Sequence, residues 1–484
     1  MSPTKRRSRR RYKLLAVLVL VAAIGAGAWA MLFRTVPVRH ATPEAAFKHG
    51  TIGVEAAQGI PYWIWVVLPR VFPEHLPGPG GYTSLGFTWE DGAEFPVGMS
   101  KTTIGFPRIG ANCAVCHTAT WRADEESPRH VVPGGPTSTF STQAYLRFLV
   151  RCAQDPRFTA ENLMPEIEYL TKLSASEKAL YRSVLIPQTR AALLEQGRFY
   201  QWTLSRPDWG PGRVDPFNPA KFGMLRRPVD GTIGNSDIMP VWSVDLRDGE
   251  NMHWDGLNSS VTEVTLSSAL GDGVTPRTLD PRALGRIEQW MRALRPPRNP
   301  FPVDPAQAAR GEQVFAANCA SCHGRPGAWN RRLVPLARPG EAEGPGRIGT
   351  DRHRAEMWDS ASAETYNRYG TGYDWKFRRF KNVDAYLAPP LDGIWLRAPY
   401  LHNGSVPTLW HLLRPAERPE RFYRGYDVVD PVRVGFRYDV AGEEGRPHFL
   451  YDTRLPGNSN RGHEFGASLP EEEKAALLEY LKTL

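Results

Sequence analysis

Two short cysteine-containing motifs carry the strongest chemical signal in the sequence. Each has two cysteines separated by two residues and followed directly by a histidine. Two thiols at this spacing can bond to the two vinyl groups of one haem, and the adjacent imidazole then binds the iron as its proximal ligand. The sequence therefore predicts two covalently attached haem c groups. The predicted attachment residues are Cys113, Cys116, Cys319 and Cys322, and the predicted proximal ligands are His117 and His323.

Other chemistry fits these cysteines less well. The two pairs lie about 200 residues apart, whereas the ligands of structural zinc sites are closely spaced. A redox-active dithiol rarely has a histidine directly after its second cysteine, and here both pairs do. The fifth cysteine, Cys152, lies in a predicted amphipathic helix and is expected to be a small buried residue.

The chain has 484 residues, enough for roughly two to three domains with their own hydrophobic cores. Its formal net charge of +9 does not indicate a nucleic-acid partner. Seven basic residues fall within residues 5–13 and leave about +2 on the rest of the chain. The propionates of two haems would make that remainder acidic.

These basic residues are followed directly by an apolar segment, residues 14–33. This order is typical of an export signal whose N-terminus stays in the cytoplasm. Ala28 and Ala30 flank Trp29 in a small-x-small pattern that suits cleavage, whereas about 20 apolar residues would also suffice for a membrane anchor. Both alternatives place the body on the periplasmic side of a bacterial inner membrane, either anchored or released.

Helix signals dominate the rest of the chain. Asp304 and Pro305 predict the start of a helix that ends just before Cys319. The segment Ser468-Leu-Pro-Glu471 predicts a capping box that opens a C-terminal helix. Ser174 to Glu177 predicts a second capping box. Further helices are predicted over 142–154, 174–186, 189–205 and 280–294, and no clear helix precedes Cys113.

A helix before an attachment motif and another at the C-terminus are the crossing pair of a cytochrome c fold. We therefore expect a mainly α protein with extensive loops, little β structure and two cytochrome c-like domains. No internal repeat is evident beyond the two motifs. The predicted divisions are residues 1–34 as a basic tail with a signal peptide or anchor, 35–300 as an N-terminal haem domain and 303–484 as a C-terminal cytochrome c domain.

The sixth ligand of each iron separates a closed haem, which transfers electrons, from an open one, which can bind oxygen or peroxide. No methionine follows Met357, so the usual downstream methionine ligand is missing. His463, in a glycine-rich loop before the last helix, is the preferred ligand of the second haem, and His402 is the alternative. Met357, a tyrosine or an open position are further alternatives. For the first haem an open position competes with unranked candidates, which include His130, Met164, Met224, Met239, Met252 and His253.

The segment from Ala398 to Leu409, Ala-Pro-Tyr-Leu-His-Asn-Gly-Ser-Val-Pro-Thr-Leu, resembles the signature of bacterial di-haem cytochrome c peroxidases and the methylamine-dehydrogenase maturation enzyme. The blocks His253–Gly256 and Asp452–Gly466 are closer to the RoxA-like cytochromes, the group of the haem-containing rubber oxygenase. In the peroxidases a methionine about 14 residues after the signature histidine binds the electron-transferring haem. Ala416 stands there in this sequence, so the bis-histidine ligation of the RoxA-like group fits better.

The resemblance also implies a tryptophan between the two macrocycles. Trp254 is the candidate relay, because the nearby Gly256 permits close approach of the backbone. His253 is a candidate acid or base on the distal side of an open haem. Ordinary core packing of Trp254 and a loop hydrogen bond of His253 are the alternative.

These expectations favour an exported di-haem redox enzyme. It would activate peroxide or dioxygen at an open N-terminal haem and relay electrons through a closed C-terminal haem. The alternative is a di-haem electron-transfer cytochrome with no catalytic activity of its own, while a haem-based sensor or assembly factor has no distinctive support. The expected partners are a redox protein that donates or accepts electrons, a small-molecule oxidant and, if the N-terminal helix is retained, the membrane.

Overall fold

The structure, a computed structural model, describes residues 3–338, 340–341 and 346–484. The basic stretch and the apolar segment form one helix, Pro3–Phe33. Among its described side chains, Leu14 and Trp29 are exposed. Within the described residues, no helix is long and apolar enough to cross a membrane. The role of this helix as a signal or anchor therefore stays a prediction.

Helices and irregular segments make up most of the described chain, which confirms the mainly α, loop-rich class. The described helices of eight or more residues are Pro3–Phe33, Tyr62–Val71, Thr142–Gln154, Ala160–Leu170, Ile186–Phe199, Val261–Gly271, Pro281–Ala293, Pro305–Asn318, Ser360–Asn367 and Glu471–Leu481. The shorter α-helices are Pro43–His49, Val54–Ala57, Ala175–Leu180, Ala320–His323, His353–Glu356 and Leu409–Leu412.

Local capping explains where several helices begin. The carboxylate of Asp304 accepts hydrogen bonds from the backbone of Ala306 and Gln307, as predicted. Ser174 and Glu177 form the predicted capping box. The capping box predicted at Ser468 is wrong, because the last helix begins after Pro470, whose side chain cannot cap a backbone amide. Three glutamates in the first turn stabilise this helix, since their negative charge lies at the positive end of the helix dipole.

The strands are short and antiparallel. The largest sheet has four, in the order Thr35–Val36, Met99–Ile104, Phe106–Ala111 and Ile60–Pro61. The two-stranded pairs are Thr118–Trp121 with His130–Pro133, Arg213–Val214 with Ser236–Asp237, Gly324–Arg325 with Ala328–Trp329, Leu333–Pro335 with Ala385–Leu387, Arg421–Arg424 with Phe449–Asp452, Val429–Asp430 with Gly435–Phe436, and Gly442–Glu443 with Arg446–Pro447.

Two similar arrangements, which we call the first and second modules, are each built on a crossing pair of helices. In the first module Pro43–His49 meets Pro281–Ala293, and the rings of Phe47 and Trp290 lie 4.6 Å apart. In the second module Pro305–Asn318 meets Glu471–Leu481, and the rings of Phe315 and Tyr480 lie 5.3 Å apart. The close crossing in the second module requires Gly311, because a Cβ there would collide with the backbone of Ala476.

A loop in each module repeats the same backbone geometry; we call residues 239–247 and 389–397 the first and second proximal loops. Ser243 and Gly393 both have positive φ, 52° and 67°. Their amides donate hydrogen bonds to Leu294 O and Leu484 O, which follow the two closing helices. A 3-10 turn comes next in each loop, Val244–Arg247 and Ile394–Leu396.

The chain after each proximal loop also repeats. A tight turn is closed by the bridge Met252–Asn258 in the first module and by Tyr400–Val406 in the second. Each turn is followed by a helix with a hydroxyl N-cap, Ser260 or Thr408. In this alignment Trp254 and His402 occupy the same position, two residues after the first bridged residue.

The hydrophobic cores do not follow the linear order of the chain. Residues 357–380 lie between the second motif and the second proximal loop in sequence. Their large side chains, including Trp358, Tyr366 and Phe380, nevertheless belong to the core cluster that contains Phe47 and Leu266 of the first module. Cys152 is fully buried in a second apolar cluster, as expected for a packing residue.

Candidate haem centres

The second attachment motif is delivered by the helix Pro305–Asn318. Cys319 caps that helix and a short helical turn, Ala320–His323, follows directly. Nδ1 of His323 lies 2.8 Å from the carbonyl oxygen of Pro389 in the second proximal loop. A carbonyl can only accept, so Nδ1 carries the proton and Nε2 keeps its lone pair for a metal. Neither Cys319 nor Cys322 forms a disulfide.

His463 lies opposite His323. The centres of the two imidazole rings are 6.3 Å apart, with 56° between their planes. A metal ion bound to two imidazole nitrogens at about 2.0 Å from each would hold the ring centres about 6 Å apart. Burial, and then His323 and Arg418, lower the pKa of His463 to about 3, so its imidazole is neutral at pH 7. The pair therefore has the spacing and protonation of two axial ligands.

The loop that carries His463 depends on glycine and on Arg418. His463 has a φ of 51°, and a Cβ at the preceding Gly462 would collide with the backbone of Gly349. The guanidinium of Arg418 donates to the carbonyl oxygens of Asn460 (2.5 Å), Gly462 (2.8 Å) and His463 (3.2 Å), and also to those of His411 and Leu412. Arg418 thus ties the His463 loop to the helix Leu409–Leu412.

Arg418→Ala should loosen this loop. Each lost carbonyl bond to a charged donor counts for about 1 kcal/mol or more, so we expect a fall of several kcal/mol in the free energy of unfolding. We also expect part of the iron opposite His463 to become high spin, because the imidazole is no longer held in place. Electron paramagnetic resonance of the haem-loaded protein measures this. Arg421→Ala, which removes an exposed arginine paired with Asp452, is the control and should leave the spin state unchanged.

The first attachment motif is reached through a hairpin, Met99–Ile104 and Phe106–Ala111. The side chain of Asn112 accepts a hydrogen bond from Ala114 N and donates to Gly50 O, which fixes the turn Cys113–Val115. The backbone of Met239, in the first proximal loop, faces His117, and burial lowers the pKa of His117 to about 4. The arrangement parallels that of His323 and Pro389, although Nδ1 of His117 makes no hydrogen bond of normal geometry within the described chain.

The distal sides of the two centres differ. Among the described residues, no aromatic or imidazole ring lies against His117 in the way that His463 faces His323. Asp272 instead lies close enough to raise the pKa of Cys113 and Cys116, after the larger effect of burial, and it also raises that of Tyr200. Desolvation raises the pKa of Asp272 itself to about 7. By accessible surface, however, Asp272 is an exposed residue.

The other candidate ligands of the first centre are spread over the molecule. Met164 is fully buried in the cluster around Cys152, and His130 is exposed and stacks on Trp121 at 4.0 Å. Met224 packs against the same apolar cluster as Cys113. Met252 is a buried member of that same cluster.

His402 and Trp254 lie between the modules. The ring of His402 stacks on Tyr386 at 4.1 Å, and no ring contact joins it to His323 within the described residues. Trp254 donates from Nε1 to Asp237 O at 2.7 Å and packs in one cluster with Tyr386. We call Trp254, Tyr386 and His402 the aromatic chain: Tyr386 stacks on His402 and belongs to the apolar cluster against which Trp254 packs. Of the two histidines predicted as ligands of the second iron, His463 thus lies opposite His323 and His402 does not.

His253 lies on a different side of Trp254. It has a φ of 62°, its ring packs against Phe217 at 5.5 Å, and Nε2 is buried without a hydrogen-bond partner in the described chain. Burial, and then the charge of Arg354, lower its pKa to about 3. This histidine is therefore neutral at pH 7 and a poor proton donor.

Sequence reasoning missed Asp272, Tyr200 and Arg418. No motif in the sequence marks Asp272, which lies in the segment before the closing helix of the first module. In the second half that segment contains His463, and in the first half residues 272–280 contain neither histidine nor methionine.

The donor set fits haem c. Each motif presents two cysteines outside any disulfide beside an imidazole that faces a backbone carbonyl, and the second also presents a neutral imidazole at the spacing of a sixth ligand. The crossing helices of each module supply the cytochrome c frame. Fold and site together define a c-type cytochrome, a redox protein that carries haem c.

Comparison with known proteins agrees with this class. Residues 385–423, which include His402 and Arg418, match a family described as RoxA-like, cytochrome c-like. Residues 306–357, which include the second motif, match the cytochrome c oxidase, cbb3-type, subunit III family.

Three relatives extend the match. The uncharacterized protein y4iJ of Sinorhizobium fredii is 33% identical over 83% of this chain and 84% of its own length. The uncharacterized protein y4iM of the same organism is 32% identical over 47% of this chain, which spans 57% of y4iM. The cytochrome-c peroxidase IdrP1 of Denitromonas iodatirespirans is 30% identical over 22% of this chain and 29% of its own length. The chain belongs to the di-haem cytochrome c family that includes the RoxA-like cytochromes.

Proposed function

We propose that this protein is an exported redox enzyme with two covalent haem c groups, one in each module. The haem of the first module would react with peroxide or dioxygen, and the haem of the second would store and relay electrons. The observation that carries the proposal is the asymmetry of the two distal sides. His463 faces His323 at 6.3 Å, whereas no described ring faces His117 in this way and a carboxyl group, Asp272, lies close enough to act on Cys113 and Cys116.

A haem iron with an open position supplies a site for peroxide or dioxygen and passes electrons to it. Reduction of one hydrogen peroxide to two waters consumes two electrons and two protons. Asp272 can accept a proton from the oxygen of peroxide that binds and return one to the oxygen that leaves. A carboxyl group with a pKa of about 7 suits both steps, since it is present in both protonation states at neutral pH. We therefore assign the acid–base role to Asp272 instead of His253.

The aromatic chain of Trp254, Tyr386 and His402 supports electron transfer between the modules. Trp254 and His402 occupy equivalent positions in the two modules, and Tyr386 packs against both. Electrons would enter through the second haem from a redox partner protein. Trp254 then keeps the role of relay that the family resemblance suggested.

The competing function is electron transfer without catalysis. It is favoured if Met224 binds the first iron, because Met224 and Cys113 share one apolar cluster. Met224→Leu distinguishes the two. In an electron-transfer protein the substitution would convert the first haem from low to high spin, whereas in the proposed enzyme this haem binds peroxide in the wild type and Met224→Leu leaves its spectrum unchanged.

Replacement of Asp272 tests the proposed chemistry. Below a pH of about 7 the carboxylate takes up a proton and can no longer accept one from peroxide, so the rate should fall as the pH falls through this value. Asp272→Asn should lower the rate with peroxide on the order of 100-fold and remove this pH dependence. Stopped-flow absorbance of the reduced protein mixed with peroxide gives both quantities.

The exposed Asp91 provides the control, since Asp91→Asn changes the formal charge equally. A wild-type rate and pH profile in Asp272→Asn would rule out the acid–base role. If both irons of the wild-type protein stay low spin and do not react with peroxide, the proposed enzymatic function is ruled out.

Export is part of the same proposal. Covalent haem attachment suits a protein outside the cytoplasmic haem pool, and the basic residues followed by an apolar helix are the pattern of an export signal. We place the body of the protein on the periplasmic side of the inner membrane, either held by the helix Pro3–Phe33 or released from it.

A further inference from the structure

Three buried arginines lie together where the two proximal loops meet. Arg247, Arg331 and Arg397 are each only 7% exposed. Arg247 donates from Nη1 to Pro240 O in the first proximal loop, and Arg397 donates from Nη1 to Pro390 O in the second. The two loops touch directly, because Nε1 of Trp242 donates to Asp392 O. We call the three residues the arginine cluster.

The charge of the arginine cluster is not balanced by the described residues. The one buried carboxylate beside it, Asp392, lies 3.7 Å from Nη2 of Arg247, and neither of its oxygens accepts a hydrogen bond. Nε of Arg247 and Nη1 of Arg331 have no hydrogen-bond partner within the described chain. The other charged or titratable groups that act on the cluster are Asp245, which is paired with Arg295, the exposed Glu250, Tyr400 and the proximal His323.

The cations destabilise one another. Burial, and then Arg247, lower the pKa of Arg331 to about 10. Burial also lowers the pKa of Arg397 to about 10, where Asp392 acts to raise it and Arg247 acts to lower it. A buried guanidinium with unused donors costs several kcal/mol unless an anion pairs with it. Two such groups, Arg247 and Arg331, lie with the buried Arg397 beside one poorly placed carboxylate, which indicates that the folded protein holds further negative charge here.

The position of the cluster identifies that charge. Pro240 and Pro390 directly follow Met239 and Pro389, the residues whose carbonyls face the two proximal histidines. Arg397 is close enough to His323 to lower the pKa of its ring. The cluster therefore borders both predicted haem sites, and haem c brings carboxylates as its propionates.

We propose that Arg247, Arg331 and Arg397 form one shared anion site that binds a propionate carboxylate from each of the two haems. The inference rests on the proposed presence of two haems, but not on peroxide chemistry. Three guanidinium groups and Asp392 leave a formal excess of two positive charges, which two propionates neutralise. A shared site also couples the haems electrostatically, because reduction of one haem changes the potential at the common cluster and therefore at the other haem.

Arg331→Gln in the haem-loaded protein tests the site, with Arg332→Gln as a matched control. Arg332 is the next residue and is exposed, so its replacement makes the same charge change outside the cluster. Reduction potentials of both haems are measured by optical titration across pH. In the wild type the propionates stay ionised near neutral pH and the potentials are flat.

In Arg331→Gln the loss of a cation raises the propionate pKa values and stabilises ferric iron. We expect both potentials to shift down relative to wild type and to fall further as the pH rises through the new pKa values. Arg331→Lys keeps the charge, so its potentials should be close to those of the wild type and should change little with pH. Arg332→Gln should match the wild type.

Potentials and pH profiles of Arg331→Gln that match those of Arg332→Gln would overturn the proposal, and a response at one haem alone would overturn the shared site. A response of the wild type to added acetate would instead assign the cluster to a free carboxylate. If Arg331→Gln does not retain haem, the resonance Raman spectrum of Arg331→Lys is compared with that of the wild type. Propionate bands at the same frequency in both proteins would contradict a contact between Arg331 and a propionate. Loss of peroxide activity alters none of these readouts, so the two proposals fail separately.

Discussion

His463→Ala should convert the haem of the second module from low to high spin. His463 is the described imidazole that faces His323, at a ring separation that suits one iron between them. Without it the iron loses a strong neutral donor that favours the ferric state, so the potential should rise on the order of 100 mV, within the ~0.8 V range that axial ligands span. Electron paramagnetic resonance and a redox titration measure the two changes, and the signal of the first haem should not move.

His402→Ala is the matched control, since it removes a buried imidazole from the same module. His402 stacks on Tyr386 and has no ring contact with His323 in the described structure, so the spin state should stay low. A spin change in His402→Ala but not in His463→Ala would reverse the assignment of the ligand. Two unchanged spectra would place the sixth ligand elsewhere.

Removal of either cysteine pair should halve the haem content. The double variant Cys319→Ala, Cys322→Ala leaves the first motif intact, and the variant at Cys113 and Cys116 leaves the second. Each is expected to carry one covalent haem per chain instead of two, because thioether bonds keep haem on the protein after denaturation. The pyridine haemochrome assay on denatured protein counts the haems.

Cys152→Ala controls for the loss of a cysteine as such. Cys152 is buried in an apolar cluster away from both motifs, so its replacement should cost about 1 kcal/mol of stability and no haem. Extraction of either haem from the wild-type protein by acidified organic solvent would refute covalent attachment at that motif.

The repeat of the modules explains why one chain can hold two different centres. Both modules share the crossing helices, the proximal loop and the turn after it, so each can position a proximal histidine in the same way. What differs is the segment before the closing helix, which is not part of the shared frame. This segment brings His463 opposite His323 in the second module and contains Asp272, whose charge acts on Cys113 and Cys116, in the first.

The sequence by itself determined several helix starts and carried the prediction of the haem attachment residues. Both are local: five consecutive residues define a motif, and a side chain such as that of Asp304 caps the amides of its own helix. The capping box at Ser468 failed because Pro470 began the helix instead. The prediction of His117 and His323 as proximal ligands is local for the same reason, since each directly follows a cysteine.

Only the tertiary structure decided which residues meet across the chain. His463 faces His323 from 140 residues away in the numbering, and Asp272 reaches Cys113 through the fold of the first module. The repeat was hidden because it consists of backbone geometry, positive φ at Ser243 and Gly393 and matching turns, carried by different side chains. The arginine cluster could not be predicted from the sequence either. A cation requires a neighbouring anion only where it is buried, and the burial of these arginines depends on the tertiary structure.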